Sequence, residues 1–258
     1  QPRGLPMLNT PIINDEQMRA FERDGYLVMR SAFNEDEMAL IDTWTRELLA
    51  LPEESGKHWV FHEESLKGNG KDLVNRIENT APFHHGFAEL STVLKGPAGQ
   101  LLGEQAVLFK EKVNFKMPGG SGFKPHQDSQ AGWDKYADFY VSALVSIDEA
   151  TVKNGCLQLC AGHHERGLFT SWEPLTEEDM EGMEFVPCPT KPGDVVLFDC
   201  YAPHSSETNL TDKTRRLYYA TYNQLSAGDH RTQYYADKHK NYPPDIDRDP
   251  DKEYIYKV

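Results

Sequence analysis

Polar and apolar residues alternate with a helical period in the first fifty positions, and each helical run begins at an asparagine. Asn14 is followed three residues later by Gln17, and Asn34 by Glu37. This spacing is typical of a capping box, in which two side chains satisfy the first free amides of a helix. The pattern predicts two capped helices, the first of which ends at Gly25. Between them, YLVMRSAF predicts a short strand.

Farther along, the helical period continues once and then gives way to strands. HHGFAELSTVLKGP predicts a third helix that ends near Gly96 and Pro97. From residue 105 on, short β-type runs are separated by glycine and proline, which favours a sandwich or barrel. The runs are AVLFKEKVNFKM, DFYVSALVSIDE, GCLQLCAG, DVVLFDC and RRLYYATYNQ. The acidic segment WEPLTEEDMEGMEF is interpreted as a loop or lid.

These elements predict a single domain that is mainly β with flanking helices. We expect a mostly helical part over residues 1–104, a β-core over 105–225 and a C-terminal extension over 226–258. A chain of 258 residues is long enough to bury a sizeable core.

Charge and cysteine content narrow the class of protein. The formal net charge of -14 argues against nucleic acid or an anionic membrane as the main partner. No run approaches 18 apolar residues, so no membrane span is expected. The four cysteines form no CxxC pair and are interpreted as buried thiols of a reducing, cytoplasmic compartment. The chain begins at Gln1 without a recognisable signal peptide, and a removed one stays open.

The stretch FKPHQDSQAGW contains candidate metal ligands. His126 and Asp128 are two residues apart, and on a strand such residues project to the same side. An HxD pair alone is weak evidence. His204, however, follows an apolar strand introduced by PGD, and Arg215 comes eleven residues after it. Two imidazoles and one carboxylate form the facial triad of non-haem Fe(II) oxygenases.

The segments FERDGYLVM, HQD, NGCLQLCAGHH, PGDVVLFD, APHSS and TRRLYYATYN resemble the phytanoyl-CoA dioxygenase family of Fe(II)/2-oxoglutarate oxygenases. The resemblance implies a double-stranded β-helix (a jelly-roll or cupin-like core) and the use of Fe(II), 2-oxoglutarate and O2. It implies that the triad binds iron, that Arg215 pairs with the distal carboxylate of 2-oxoglutarate, and that Asn114 and Ser206 help to hold this co-substrate. Arg216 is expected on the opposite face of the strand. Related halogenases lack the carboxylate ligand, so Asp128 implies hydroxylation.

The strand LFKEKVNFK presents Lys110, Lys112 and Asn114 on one face. Either it is an edge strand whose lysines are solvated, or this face lines the lumen and holds anions. KEKVNFKMPGGSGFKPHQD, RRLYYATYNQ and HRTQYYADKHKNYPPD are similar to the 2-aminoethylphosphonate dioxygenase group, which implies an aminoalkylphosphonate substrate. The candidates for its anionic end are Lys110, Lys112 and Arg76, and those for cation–π contact with its ammonium are Trp133, Tyr140 and Tyr201.

Several alternatives stay open from the sequence. Arg76 also fits a surface salt bridge. Another small substrate, such as a quaternary amine, a natural product or an acyl-CoA, is compatible with the triad. So are a non-catalytic small-molecule binder and a hydrolytic zinc site. Three other histidine pairs are set aside as metal sites. His163 and His164 are interpreted as structural, His84 and His85 as partly solvated at a helix start, and His58 and His62 have no third ligand near them. The oligomeric state is not predicted.

Overall fold

The structure is a computed structural model that describes residues 8–70 and 72–258. Five helices flank two antiparallel sheets in these ranges. The helices are α1 (Asp15–Asp24), α2 (Glu35–Ala50), α3 (His85–Val93), α4 (Lys95–Leu102) and α5 (Arg231–Asn241). The strands are β1 (Tyr26–Met29), β2 (Trp59–Glu64), β3 (Asp72–Glu78), β4 (Ala106–Lys116), β5 (Phe123–His126), β6 (Tyr140–Ser146), β7 (Leu157–Cys160), β8 (Phe185–Pro187), β9 (Val195–Asp199), β10 (His204–Ser206) and β11 (Arg215–Gln224).

The two sheets form a jelly-roll core, as the sequence predicts. The seven-stranded sheet has the order β1-β9-β6-β11-β4-β3-β2, and the four-stranded sheet has the order β5-β10-β7-β8. Side chains of β4 and β11 alternate in direction on either side of a register shift between Thr221 and Tyr222, so one face meets the helices and the other faces the second sheet. On the helical side, Tyr218 packs on Phe87 and Tyr222 donates a hydrogen bond to the Ser91 carbonyl oxygen at 2.5 Å.

Both predicted capping boxes are confirmed. The Asn14 side chain accepts a hydrogen bond from the Gln17 amide, and the Gln17 side chain accepts one from the Asn14 amide. Asn34 and Glu37 make the same reciprocal pair at the start of α2. Gly25 ends α1 with a φ of +84°, a left-handed conformation that glycine adopts without steric cost.

The predicted end of the third helix is wrong. It is divided at Leu94 into α3 and α4, and Gly96 and Pro97 lie in the first turn of α4 rather than at a terminus. Proline is tolerated there because the first amides of a helix have no intrahelical partner. The acidic segment after Ser171 consists mainly of turns, in agreement with the loop prediction.

Two strands of the first hundred residues were not predicted, and they change the interpretation of the lysine strand. Strands β2 and β3 continue the large sheet beyond β4, so β4 lies between β11 and β3. The edge-strand alternative for Lys110 and Lys112 is therefore wrong. His62 lies on β2, paired with Glu53 and Asp72, and does not belong to a helix.

The described ranges contain no helix that is both long and apolar enough to span a bilayer. Cys156, Cys160 and Cys200 are buried, Cys188 is half-buried, and all four are free thiols. Burial raises the pKa of each thiol.

Candidate active site

Three side chains converge where β5 ends and β10 begins. His126 is the last residue of β5 and is paired with His204, the first residue of β10. Asp128 lies beyond the strand, at the start of a short 3-10 turn. The turn, and not the alternation of a strand, brings its carboxylate to the same side as His126. The Nε2 atoms of His126 and His204 are 3.5 and 3.1 Å from Asp128 Oδ1. The ligand atoms all lie within 4.8 Å of one another, which fits one ion.

The hydrogen bonds of the two imidazoles leave both Nε2 atoms directed toward Asp128, where a metal ion would bind. Nδ1 of His126 lies 2.6 Å from the Lys124 carbonyl oxygen, and Nδ1 of His204 lies 2.9 Å from that of Ala202. A carbonyl accepts only from a protonated nitrogen, so Nδ1 carries the hydrogen and the Nε2 lone pair faces Asp128.

The electrostatics favour a cation at this point. Burial, together with neighbouring His204, lowers the pKa of His126. Burial opposes the ionisation of Asp128, but the two histidines outweigh it and hold its pKa well below the ordinary value. Burial likewise opposes the charging of His204, and Asp128 raises its pKa. An ionised carboxylate beside two imidazoles is the donor set of a divalent metal. No other group of three potential ligands occurs in the described part of the chain.

A second polar site lies at the start of β11. Arg215 is only 2% exposed; its Nη1 donates to the Gly155 carbonyl oxygen at 2.8 Å, and its Nε has no partner among the described residues. Lys116 is its cross-strand neighbour, and Lys116 Nζ donates to Ser206 Oγ at 3.0 Å. Burial, and then Arg215, lowers the pKa of Lys116 to about 7. Neither Arg215 nor Lys116 pairs with a carboxylate of the described residues, so the two buried basic groups form a site that fits a carboxylate.

The two adjacent arginines lie on opposite faces, as alternation predicts. Arg216 points toward the helices, where its guanidinium pairs with Asp148 at 2.8 Å and with Asp42 of α2 at 2.6 Å. Lys116 was missed by the sequence reasoning, although it continues the alternation of Lys110, Lys112 and Asn114 along β4.

A cluster of charges surrounds Glu78, whose side chain is fully buried. Its carboxylate lies 3.1 Å from Arg76 Nε, 3.3 Å from Lys110 Nζ and 2.6 Å from Lys238 Nζ. Burial opposes the ionisation of Glu78, but the three cations hold its pKa well below the ordinary value. Arg76 is thus a buried group, and the surface salt bridge considered for it is wrong. Lys238 comes from α5 in the C-terminal extension, and no sequence pattern singled it out.

Lys112 lines the same cavity and forms no ion pair with the described residues. Its Nζ lies 5.3 Å from the ring centroid of Tyr219 and 5.9 Å from that of Phe123. Burial, and then the neighbouring Lys110 and Arg76, lowers its pKa to about 7.

Two adjoining cavities connect these groups. One, of about 630 Å³, contains the triad and the cations around Glu78; the other, of about 700 Å³, contains Lys116 and Arg215. His126 and Asn114 line both, so the candidate metal site lies where the cavities meet. Asn114 Oδ1 is buried and has no hydrogen-bond partner in the described ranges.

The aromatic candidates divide between cavity and core. Trp133 lines the first cavity, and its Nε1 has no described hydrogen-bond partner. Tyr140 is fully buried, donates to the Trp133 carbonyl oxygen at 2.9 Å and does not line the cavity. Tyr201 does not line it either and donates to the Asp138 carbonyl oxygen. Both tyrosines are therefore corrected to structural residues, because their hydroxyls are engaged with backbone groups outside the cavity.

A facial triad and a buried cationic carboxylate site inside a jelly roll define the class of Fe(II)/2-oxoglutarate oxygenases. Residues 21–217 match the family "Phytanoyl-CoA dioxygenase (PhyH)", and the chain belongs to that family.

Curated relatives and solved structures agree with this assignment. The chain is 36% identical over 250 residues to a 2-aminoethylphosphonate dioxygenase of the uncultured bacterium HF130_AEPn_1, covering 93% of this chain and 92% of the relative. It is 36% identical over 239 residues to a methylphosphonate hydroxylase of Gimesia maris, covering 91% and 90%. The structure of EctD from S. alaskensis with 2-oxoglutarate and 5-hydroxyectoine superposes with a TM-score of 0.71 at 28% identity, covering 88% of this chain and 83% of EctD.

The protein is therefore an Fe(II)- and 2-oxoglutarate-dependent dioxygenase that acts as a hydroxylase. The hydrolytic zinc site and the non-catalytic binder are set aside by this membership and by the intact triad.

Proposed function

We propose that the protein hydroxylates a small phosphonate, with an aminoalkylphosphonate as its substrate, at the carbon next to phosphorus. The observation that carries this proposal is the cluster of four cationic side chains in the cavity beside the triad. Arg76, Lys110, Lys112 and Lys238 all line that cavity, and Glu78 is the carboxylate that pairs with three of them.

The pairing of these groups supports an anionic ligand. Glu78 is a single carboxylate that already pairs with three of the four, and burial lowers the pKa of Lys112 to about 7 and that of Lys238 well below its ordinary value. An anion that binds here stabilises the protonated form of these lysines, because a buried charge is costly unless a counter-charge is present. A phosphonate head brings two negative charges and three acceptor oxygens. Trp133 Nε1 has no hydrogen-bond partner and Lys112 no ion pair among the described residues, and a phosphonate fits these two donors better than a neutral or purely cationic substrate does.

In this proposal the two cavities have separate tasks. Arg215, Lys116, Ser206 and Asn114 hold 2-oxoglutarate, with its distal carboxylate on the buried guanidinium. The triad holds Fe(II), which supplies the O2 activation that couples oxidation of 2-oxoglutarate to succinate and CO2 with C–H hydroxylation. The protein's other side chains orient the substrate C–H bond toward the metal and exclude water.

The relatives support the anionic end of the proposed substrate more than its amine end. Two of them carry names that refer to phosphonates, one with an amine and one without. The cation–π position in this cavity is partly used by Lys110, whose Nζ lies 5.3 Å from the Tyr234 centroid and 5.8 Å from that of Trp133. An aminoalkyl chain therefore has to share the Trp133 ring with a resident ammonium group.

The test is succinate formation that depends on Fe(II), 2-oxoglutarate and an added substrate. The panel contains 2-aminoethylphosphonate, methylphosphonate, the carboxylate analogue 3-aminopropanoate, ectoine and an acyl-CoA. We expect stimulation by 2-aminoethylphosphonate and little by its carboxylate analogue, with the hydroxylated product identified by phosphorus NMR. Stimulation by methylphosphonate alone would remove the amine from the proposal, and stimulation by ectoine or acyl-CoA without the phosphonates would refute it. Asp128→Ala is the inactive control.

A further inference from the structure

Residues 255–258 line both cavities, and Tyr254 lines the first. Tyr256 is 41% exposed, and its ring lines both cavities. Its ring centroid lies 6.1 Å from that of Phe123 and 5.7 Å from that of Tyr242, and Arg76 Cζ lies 5.4 Å from it. The neighbouring Ile255 is 65% exposed. The segment therefore places one ring against the cation cluster and an apolar side chain in solvent, without a core of its own.

Tyr256 lines the cavity that contains both the triad and the cations around Glu78. Phe123 begins β5, the strand that ends at the triad residue His126, and Arg76 belongs to the cluster around Glu78. Partial burial raises the pKa of the Tyr256 phenol, and its other electrostatic neighbours include Arg76, Lys110, Glu78 and Asp128. A group influenced by both the metal carboxylate and the cations borders the space in which a substrate has to lie.

The phenolic hydroxyl is available for a ligand. It has no hydrogen-bond partner among residues 8–70 and 72–258. The hydroxyls of other tyrosines near the cavity are engaged: that of Tyr234 accepts from Lys110 Nζ at 3.0 Å, and that of Tyr136 donates to Asp237 at 2.5 Å. At neutral pH the Tyr256 hydroxyl is protonated and is therefore a hydrogen-bond donor for an anion.

We propose that Tyr256 is a specificity-determining residue that donates a hydrogen bond to the anionic head of the substrate and closes the cavity over it. The proposal rests on the phosphonate hydroxylase function above and adds a residue from outside the jelly roll to the substrate site. Since α5 also contributes Lys238 and Tyr234, the chain after the last strand forms a wall of the pocket together with β3 and β4.

The two roles of Tyr256 are separable by substitution. Tyr256→Phe removes only the hydroxyl and keeps the ring on Arg76 and Phe123. Tyr256→Ala removes the ring as well and opens the cavity to water. Tyr201→Phe is the matched control, because the hydroxyl of Tyr201 is bonded to a backbone carbonyl outside the cavity.

The measurements are the phosphonate dissociation constant, by calorimetry on the anaerobic Fe(II)- and 2-oxoglutarate-loaded protein, and the ratio of hydroxylated product to succinate. For Tyr256→Phe we expect about tenfold weaker phosphonate binding, the loss typical of a hydrogen bond to a charged group, with the Michaelis constant for 2-oxoglutarate unchanged. For Tyr256→Ala we expect, in addition, a lower product-to-succinate ratio because water reaches the metal.

The outcomes separate this inference from the function on which it rests. If wild type binds the phosphonate and Tyr256→Phe binds it equally well, the role of Tyr256 is refuted and the proposed function stands. If wild type does not bind or oxidise any phosphonate, both fail. A weakening in Tyr201→Phe equal to that in Tyr256→Phe would also overturn the inference, because the effect would then not come from the cavity.

Discussion

Lys112→Met is the substitution that most directly tests the anionic substrate. Lys112 lines the cavity beside the triad and has no ion pair among the described residues, so its ammonium group is available to a ligand. A charge-assisted contact is worth about 1.5–3 kcal/mol. With a pKa of about 7, the lysine is half protonated at pH 7, and completing its protonation costs less than about 0.5 kcal/mol. We therefore expect substrate binding to weaken on the order of tenfold to a hundredfold at pH 7.

The same pKa gives this prediction a pH dependence. Burial and neighbouring cations lower the pKa of Lys112 from its ordinary 10.5 to about 7, and an anionic ligand binds the protonated form. Wild-type affinity should thus fall as pH rises through about 7, approaching a tenfold loss per pH unit. In Lys112→Met this dependence should largely disappear. The assay is calorimetric titration with the phosphonate between pH 7 and 9, with wild type and Lys112→Met compared at each pH, because the second ionisation of the ligand affects both proteins equally and cancels in the comparison.

Lys110→Met is the matched variant on the same strand face, and its effect on Tm is compared with that of Lys112→Met. Lys110 is paired with Glu78 at 3.3 Å and with the Tyr234 hydroxyl at 3.0 Å, and although burial opposes its charge, Glu78 raises its pKa. Its loss leaves a buried carboxylate with fewer partners, so Tm should fall. Lys112→Met removes a desolvated group whose charged form the fold disfavours, so Tm should stay the same or rise. Unchanged substrate binding in Lys112→Met, with a pH-independent wild-type affinity, would refute the reasoning.

Three further predictions concern the metal and 2-oxoglutarate. Replacing either triad histidine with alanine should abolish turnover and Fe(II) binding; full activity with stoichiometric iron would contradict the triad. Arg215→Leu should raise the Michaelis constant for 2-oxoglutarate far more than Arg216→Leu, which should instead lower Tm through lost pairs with Asp148 and Asp42; the reverse pattern would mean that the assumed strand register is wrong. Burial and Arg215 lower the pKa of Lys116 to about 7, so 2-oxoglutarate affinity should fall as pH rises above about 7, and Lys116→Met should remove that dependence in anaerobic titrations; an identical pH profile in the variant would count against a contact with the co-substrate.

Local signals determined much of this protein from sequence alone. The capping boxes at Asn14 and Asn34 depend only on residues three apart, and both helices begin where predicted. Strand alternation placed Arg215 and Arg216 on opposite faces. The triad was recognisable because HxD followed by a distal histidine and an arginine is a spacing that few other arrangements produce.

Other features depend on contacts between distant parts of the chain. Whether β4 is an edge or a central strand is decided by β2 and β3, whose sequences WVFHEE and DLVNRIE lack a regular apolar–polar alternation and therefore give a weak strand signal. In the sequence, Tyr140 and Tyr201 cannot be distinguished from aromatic residues that line a cavity. Only the folded structure shows that their hydroxyls are bonded to backbone carbonyl groups.

The substrate side of the pocket was beyond sequence reasoning for the same physical reason. Glu78, Lys110 and Lys238 meet across up to 160 residues of chain, and no period or motif relates them. Their pKa values are set by mutual distance and burial, which exist only after the sheet and α5 have packed. The sequence by itself determined the metal chemistry, because HxD and a histidine eleven residues before an arginine are local patterns. The tertiary structure decided which charges face the substrate, because burial and pairing are properties of the folded chain.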